Sequence, residues 1–300
     1  MQATRDLGRI ANPKAECVVL PLPDETTSAF ERILGNVDHV VHLAAIHNPQ
    51  FAVSADAYQL ANCVLVAKLA KAANETIAGK FVFVSTIRAQ CGRLHEGVAR
   101  ESDEPRPTDD YGRAKLAAEQ GIADAMPFNN FTILRPVLVY GTGMGGNLAI
   151  LLKLAALPIP LPLNALAGRR SLLDRAALTC AIIHCLREVS TDGGTFIVSD
   201  KTPVTIPEIV AAARRGLGRS PNLFSCPSWL LTSAAQIAGQ ADRLKRLSGD
   251  LVASSEKLQA TGWVAVDDST RRIEELSTAL TPRNRYRAAL AIGDISTAFF

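Results

Sequence analysis

No C-x-x-C pair occurs among the six cysteines, Cys17, Cys63, Cys91, Cys180, Cys185 and Cys226, and each sits inside an apolar segment. That removes a disulfide framework and a clustered thiolate metal site, and reads as free buried thiols in a reducing cytoplasm. No metal-ligating set is assigned. No run of five basic residues is present, and Lys+Arg 32 against Asp+Glu 29 leaves a formal net charge of +3. So balanced a chain points to neither nucleic acid nor a membrane surface as partner. The opening residues are polar and charged, without the apolar stretch of an export signal. The longest apolar stretch, 148–163, is broken by Lys153 and three prolines, too short and interrupted to cross a bilayer. Repeats and low-complexity tracts are also missing. What remains is a chain of 300 residues, 48% hydrophobic and 20% charged, able to bury a sizeable core in one large domain or two packed ones.

Short β-branched or aromatic runs alternate with helical patterns through the first half. Cys17–Leu20 reads as a strand, Thr27–Leu34 as a helix, Asp38–Leu43 as a strand and Ala55–Ala73 as a helix. Lys80–Ser85 is the next strand, Tyr111–Ala125 the next helix, and Phe131–Tyr140 begins as a strand. Strict alternation with near-continuous apolar strands predicts a parallel sheet covered by helices on both faces. After Tyr140 the rhythm changes: prolines cluster at 158–162, helices dominate, and Thr195–Ser199 is the one clear strand. The expected division is a sheet-bearing unit over 1–140, with 174–200 packing back on it, a smaller lobe over 141–282, and a tail over 283–300 with no assigned role.

Tyr111-Gly-Arg-Ala-Lys115 is the sharpest chemical pattern. Its four-residue spacing puts phenol and ammonium on one helix face, one turn apart. A phenol near pKa ~10 is a poor base at neutral pH. A neighbouring cation favours the phenolate and makes the pair a usable proton acceptor. Upstream, the apolar run Phe81–Val84 ends in two hydroxyls, Ser85 and Thr86. The carboxyl end of a parallel strand is where open α/β sheets place ligands.

These residues bring the sequence close to a known family. With Leu43-Ala44-Ala45 after a strand, Asn62 in the next helix, Leu134-Arg135-Pro136, Val139-Tyr140-Gly141, Arg169-Arg170-Ser171 and Gly262-Trp263, the chain resembles the extended short-chain dehydrogenase/reductases over residues 4–275. The resemblance is to the NAD-dependent epimerase/dehydratases, in the UDP-glucose 4-epimerase-like branch. It implies a Rossmann-like parallel sheet with a smaller carboxyl-terminal substrate lobe. It also implies Thr86 bonding the substrate's reacting oxygen, Tyr111 as acid/base, and Lys115 holding the cofactor ribose while lowering the Tyr111 pKa. Leu43, Ala44, Ala45, Asn62, Ser85 and Pro136 would complete the cofactor side. His47, Asn147 and Arg170 would serve the substrate, Arg170 through the bidentate reach of a guanidinium to diphosphate oxygens. NAD is the implied cofactor, with NADP open because Arg5 could meet a 2′-phosphate. A homodimer through the helices Ala55–Ala73 and Tyr111–Ala125, with alanines 67, 70, 114, 117 and 118 allowing close approach, is the implied assembly.

Departures from that pattern are equally plain. Gly8 is the only glycine before Gly35, so the strand, G-x-x-G-x-x-G turn and helix that cradle a pyrophosphate are not found. The sheet is expected to lack its first strand and helix. Gly141-Thr-Gly-Met-Gly-Gly146 fits G-x-G-x-x-G, but lies where the resemblance puts a loop into the substrate lobe, and no β-α-β unit follows. An Asp-Asn-Leu expected near 176–178 is Ala176-Ala177-Leu178. Thr86 is followed by Ile87-Arg88 rather than an acidic pair, which argues against dehydration. The reading is thus UDP-sugar 4-epimerisation through a transient ketone. Its alternatives are an NADP-dependent carbonyl reductase, or a non-catalytic remnant that keeps the substrate lobe but holds a dinucleotide poorly.

Overall fold

The computed structural model describes residues 2–4, 16–46, 54–141, 146–237, 239, 244 and 247–279. The first half runs β1 (Gln2–Thr4), β2 (Cys17–Val19), α1 (Thr27–Leu34), β3 (Val40–His42), α2 (Ala55–Gln59), a π-helical turn (Leu60–Val64), α3 (Leu65–Thr76), β4 (Phe81–Val84), α4 (Ile87–Gln90) and β5 (Val98–Ala99). Next come α5 (Asp110–Ala125), β6 (Phe131–Pro136), β7 (Leu138–Tyr140), α6 (Gly146–Ala155), β8 (Arg169–Arg170), β9 (Leu172–Asp174), α7 (Arg175–Arg187) and β10 (Gly194–Val198). The last are β11 (Val204–Thr205), α8 (Ile206–Gly216), α9 (Ser228–Ile237), β12 (Val252–Ala253), α10 (Glu256–Gln259) and α11 (Ser269–Ala279).

The central sheet has the order β10-β6-β4-β3, all parallel. Alternation along its strands feeds two cores. Phe81, Phe83, Phe131 and Ile133 join α1, α3 and α5 on one face, while Val82, Leu134, Phe196 and Ile197 meet α7, Leu258 and Trp263 on the other. A third core gathers Tyr140, Leu148, Leu172, Ile209, Val210 and Ile273 in the second half. There α11 presses onto α8 at Gly216, where an added Cβ would lie 2.2 Å from the Glu274 carbonyl oxygen.

The two edges of the sheet differ. Along β10, the Glu101 carboxylate accepts the Ile197 amide at 2.7 Å and Lys257 donates to the Thr195 carbonyl at 3.0 Å, which blunts an otherwise open ladder. At the other edge, β3 pairs only with β4 among the described strands, and β1 and β2 form a separate parallel pair. Val19, Leu22, Val41 and Leu43 are exposed there.

Several expectations need correction. The helix expected over Ala55–Ala73 is interrupted by the π turn and runs on to Thr76. The stretch Phe131–Tyr140 holds two strands, and the second half carries short strands at β8, β9, β11 and β12 besides β10. Two- and three-residue strands are too short for periodicity to reveal. Ala70, Ala114 and Ala118 are buried within their own chain, and an added Cβ on Gly121 would touch the Ala67 Cβ at 3.2 Å. Ala70, Ala114 and Ala118 thus pack inside the chain, whereas Ala67 and Ala117 are half-buried. Cys63, Cys91 and Cys185 are buried, but Cys180 is exposed. Among the described residues, no helix is long and apolar enough to cross a membrane.

Candidate active site

Asp109 starts the helix that carries Tyr111 and Lys115: its side chain accepts the Gly112 amide at 2.9 Å, an N-cap. Gly112 has a second role. A Cβ there would fall 2.3 Å from the Arg88 carbonyl oxygen, so only glycine lets α5 approach α4 this closely. Thr86, just past β4, N-caps α4, its hydroxyl accepting the Arg88 amide at 3.3 Å. The Arg88 guanidinium donates to Asp109 from Nε at 2.8 Å and also from Nη2. Its carbon lies 4.9 Å from the centroid of the Tyr111 ring. Arg88 therefore ties Thr86 to Tyr111. The Tyr58 ring meets Tyr111 edge-on, centroids 6.0 Å apart.

The Lys115 expectation is where the structure differs most. Lys115 is buried, and its Nζ donates to the Val84 carbonyl at 2.9 Å while sitting 4.2 Å from the Phe83 ring centroid. Burial pushes its pKa down to about 7, with Glu119 opposing. Tyr111 is not lowered. Burial raises its phenol above the ordinary value; Arg88 pulls it back, while Asp109 and Tyr58 add to the rise. Arg88 is the cation over the Tyr111 ring, and the Lys115 ammonium is bonded at the strand end.

On the turn after β3, Leu43, Ala44 and Ala45 are exposed. Asn62, fully buried in the π turn, holds that turn from both sides: Nδ2 donates to the Ile46 carbonyl at 2.9 Å and Oδ1 accepts the Ile46 amide at 2.8 Å. One extra residue in that helical turn accompanies the inward placement of this amide. His42, at the end of β3, stacks on Phe83 with centroids 5.9 Å apart, and its Nε2 has no hydrogen-bond partner. Burial, reinforced by Lys115, brings its pKa down to about 4, so it is neutral at physiological pH.

Beneath the strand ends lies a closed polar floor. The Ser85 hydroxyl donates to Glu119, and Arg135 Nε donates to both Glu119 oxygens at 3.1 Å. Gln90 accepts from Arg135 and passes its own amide to the Asp103 carbonyl at 2.8 Å. The Arg135 and Glu119 side chains are 6% and 5% exposed. Pro136 ends β6, buried and paired with Val198.

Of the substrate-side residues other than Thr86, Arg170 alone has a described side chain. Arg170 is half-buried on β8, with Nη2 donating to the Gly249 carbonyl at 3.2 Å and Nε without a partner. Burial lowers its pKa, with Asp250 opposing. Asn147 lies in α6 with its side chain outside the described residues, as do Arg5, His47, Thr142–Gly145 and the tail. No acidic residue stands at 176–178, and α7 is N-capped by Asp174 through the Ala176 and Ala177 amides at 2.6 and 3.3 Å. Two surface hollows, one among Arg100, Glu101, Ser102, Ser254, Glu256 and Lys257 and one around Asn164, Pro207 and Leu223, are not lined by Thr86, Tyr111 or Lys115.

Sequence reasoning missed Arg88, Asp109, Glu119 and the Arg135 floor as parts of the site. A signal existed for the last: an arginine inside the apolar strand Phe-Thr-Ile-Leu-Arg-Pro demands a buried carboxylate. Glu119, four residues past Lys115 on the same helix face, was the candidate in plain view.

Comparison with known proteins follows the same lines. A UDP-glucose 4-epimerase of Vibrio cholerae is 30% identical over 242 residues, 78% of this chain and 74% of that protein. The structure of UDP-N-acetylglucosamine 4-epimerase from Bacillus cereus superposes with a TM-score of 0.71 at 21% identity, over 93% of this chain and 89% of that one. UDP-glucuronic acid 4-epimerase from Bacillus cereus, in complex with NAD, gives 0.66 at 17% identity, over 92% and 82%. At those identities the structural likeness speaks to the fold. The model of the NAD dependent epimerase/dehydratase family matches residues 7–191, and with parallel strands ending at Thr86 and a helix presenting Tyr111 and Lys115, the chain belongs to that family.

Proposed function

We propose that the protein is a nucleotide-sugar 4-epimerase acting on a UDP-linked sugar with NAD. The observation that carries this is the Thr86–Arg88–Tyr111 assembly at the carboxyl ends of parallel strands, where α/β sheets receive their ligands. The Vibrio cholerae relative supports the substrate class. The residues also suit the nicotinamide end of the cofactor. An exposed apolar turn at Leu43–Ala45 is held by Asn62, and a buried ammonium stands at the end of β4.

NAD, when bound, takes up and returns the carbon-bound hydrogen and its two electrons at the sugar carbon. Tyr111 accepts the proton of the sugar hydroxyl as the carbon is oxidised and returns it after the ketone has presented its other face. Thr86 hydrogen-bonds the same oxygen and keeps it aligned with the phenol. Lys115 orients the ribose, and Leu43, Ala44, Ala45, Ser85 and Pro136 shape the surrounding wall. Arg170 and Asn147 hold the diphosphate, with His47 on the substrate side.

The test is interconversion of UDP-glucose and UDP-galactose with added NAD, followed by proton NMR. Tyr111→Phe should lose about 100-fold or more, the scale of positioned acid–base catalysis. Wild-type protein that shows no interconversion of any UDP-hexose with NAD supplied overturns the proposal. Turnover of a simple carbonyl with NADPH instead would assign it to the reductases.

A further inference from the structure

We propose that the second half of the chain carries a face that docks on an anionic lipid surface, a property independent of the proposed reaction. Its apolar part is built from three linked segments. Ile150 and Leu157 stand exposed on one side of α6 and the turn that continues it, with the exposed Lys153 between them at helical spacing. The buried Arg214 ties the neighbouring stretches together. Its Nη2 donates to the Leu157 and Ile159 carbonyls at 3.1 and 2.7 Å, and its Nη1 to the Pro221 and Asn222 carbonyls at 2.6 and 3.1 Å. The Phe224 amide donates to the Leu161 carbonyl at 3.0 Å, so the exposed Ile159 and Phe224 lie on adjoining stretches. At the start of α9, a few residues past Phe224, Trp229 and Leu230 are exposed as well. Apolar side chains scattered singly over a surface call for no explanation, whereas large ones on linked segments mark a place of interaction.

The charge carried by these segments is of one sign. Residues 146–171 and 212–247 hold nine Lys and Arg and a single acid, Asp242, leaving 23 basic against 28 acidic residues in the rest of the chain. The whole-chain charge of +3 hides that division. Arg219 is exposed, its guanidinium donating to the Ala156 carbonyl just past α6. Leu244 and Leu247 pack against the third core, and Arg243, Lys245 and Arg246 stand beside them in the sequence. The acids of α8 and α11 are engaged elsewhere: Glu208 caps α8, Glu274 pairs with Arg215 and Glu275 with Arg271. Apolar side chains among cations suit a partner that is apolar within and anionic at its surface. A second copy of this chain would instead set like charge against like. Trp229 fits such a boundary, its ring apolar and its N–H able to stay in water. At ten residues α9 is too short to span a bilayer and would lie in its plane.

The experiment is flotation of the full chain with phosphatidylcholine vesicles, with and without phosphatidylglycerol, at low and at high salt. Of the two tryptophans, Trp263 is 4% exposed and Trp229 64%, so a blue shift of emission on adding vesicles reads Trp229. The chain should float with the anionic vesicles at low salt, show that shift, and be released by high salt. Lys153→Glu with Lys245→Glu should weaken partition by about 20-fold or more, at about fivefold for each cation near such a surface. Trp229→Ser with Leu230→Ser should cost about tenfold or more through lost apolar burial. Both pairs should keep the wild-type urea midpoint. A chain that stays with the buffer at low salt overturns the proposal, as does equal flotation of both double variants. A dimer that needs Trp229 and Leu230 and ignores vesicles assigns the face to a second copy and overturns it too. So does flotation seen only after residues 280–300 are removed, which would put the chain's own tail there.

Discussion

Two of the buried polar clusters in this molecule are built on opposite principles. The floor under the strand ends joins Ser85, Gln90, Glu119 and Arg135, with both charges buried and each carboxylate oxygen satisfied by guanidinium nitrogens. The second cluster joins β7, β9, the loop after β10 and the start of α11. Asp200 accepts the Tyr140 hydroxyl at 2.9 Å, the Ser269 hydroxyl at 2.8 Å and the Asp174 amide at 3.1 Å. Arg272, half-exposed on α11, reaches Asp174 at 3.0 Å rather than Asp200. The floor balances a full charge with a full charge. The joint surrounds a carboxylate with neutral donors, and burial pushes Asp200 above the ordinary carboxylate value in spite of them. The first arrangement ties the ends of β4 and β6 to α5, the helix that carries Tyr111 and Lys115. The second makes this junction of four elements sensitive to pH.

Removing one charge from the floor should give the largest effect. Arg135→Met leaves Glu119 buried without its counter-ion, and losses of about 3–5 kcal/mol follow from such half-broken pairs. Urea unfolding should show that drop, and adding Glu119→Leu to the same chain should recover much of it, because the uncompensated charge is gone. A double variant as unstable as Arg135→Met would mean that packing around Arg135, not charge balance, holds the floor.

The joint should respond less, and to pH. Asp200 has a folded pKa above its unfolded one, so the protonated form favours the fold. Its stabilising contribution is full below the unfolded value near ~3.9 and declines as pH rises through the raised folded value. Asp109 runs the other way. Burial works to raise its carboxyl, but Arg88 and the Gly112 amide outweigh that and hold it below the ordinary value, so its contribution is lost as pH falls. Asp200→Asn should therefore be less stable than wild type at pH 4, by about 1 kcal/mol for the weakened hydrogen bonds. That gap should narrow as pH rises toward 7. Parallel urea midpoints for the two proteins across this range would show that Asp200 does not titrate with folding.

Which of these features the sequence disclosed depends on how far apart their parts lie. The sheet was legible because Phe81–Val84 and Phe131–Leu134 are apolar runs bounded by turns, and burial on both faces needs nothing more. Tyr111 and Lys115 were legible because both sit on one helix, where spacing alone places them. Their electrostatics were not, since the ammonium is bonded to a backbone carbonyl of β4 and an arginine from α4 lies over the phenol ring. Neither partner follows from helical periodicity. Asn62 was visible as a candidate, whereas the π turn that carries it has no period in the sequence. The joint was invisible for a stronger reason: Tyr140, Asp174, Asp200 and Ser269 come from four separate elements or loops, and only the closed fold brings them together.

The smallest effect belongs to a pair with the same chemistry as the floor and none of its burial. Arg100 and Glu256 meet at 2.5 Å across 156 positions of sequence, with side chains 48% and 71% exposed. Both groups keep most of their water in the folded state, so little desolvation has to be offset and little Coulomb energy is gained. Salt at physiological strength screens what is left. Glu256→Gln should therefore unfold at the wild-type urea midpoint within error, at low and at high salt. The same exchange at Glu119, where water is excluded, should move that midpoint clearly. A large salt-sensitive loss in Glu256→Gln would mean that the Arg100 contact closes the loop against β10, and that the Glu101 bond to Ile197 at that edge depends on it.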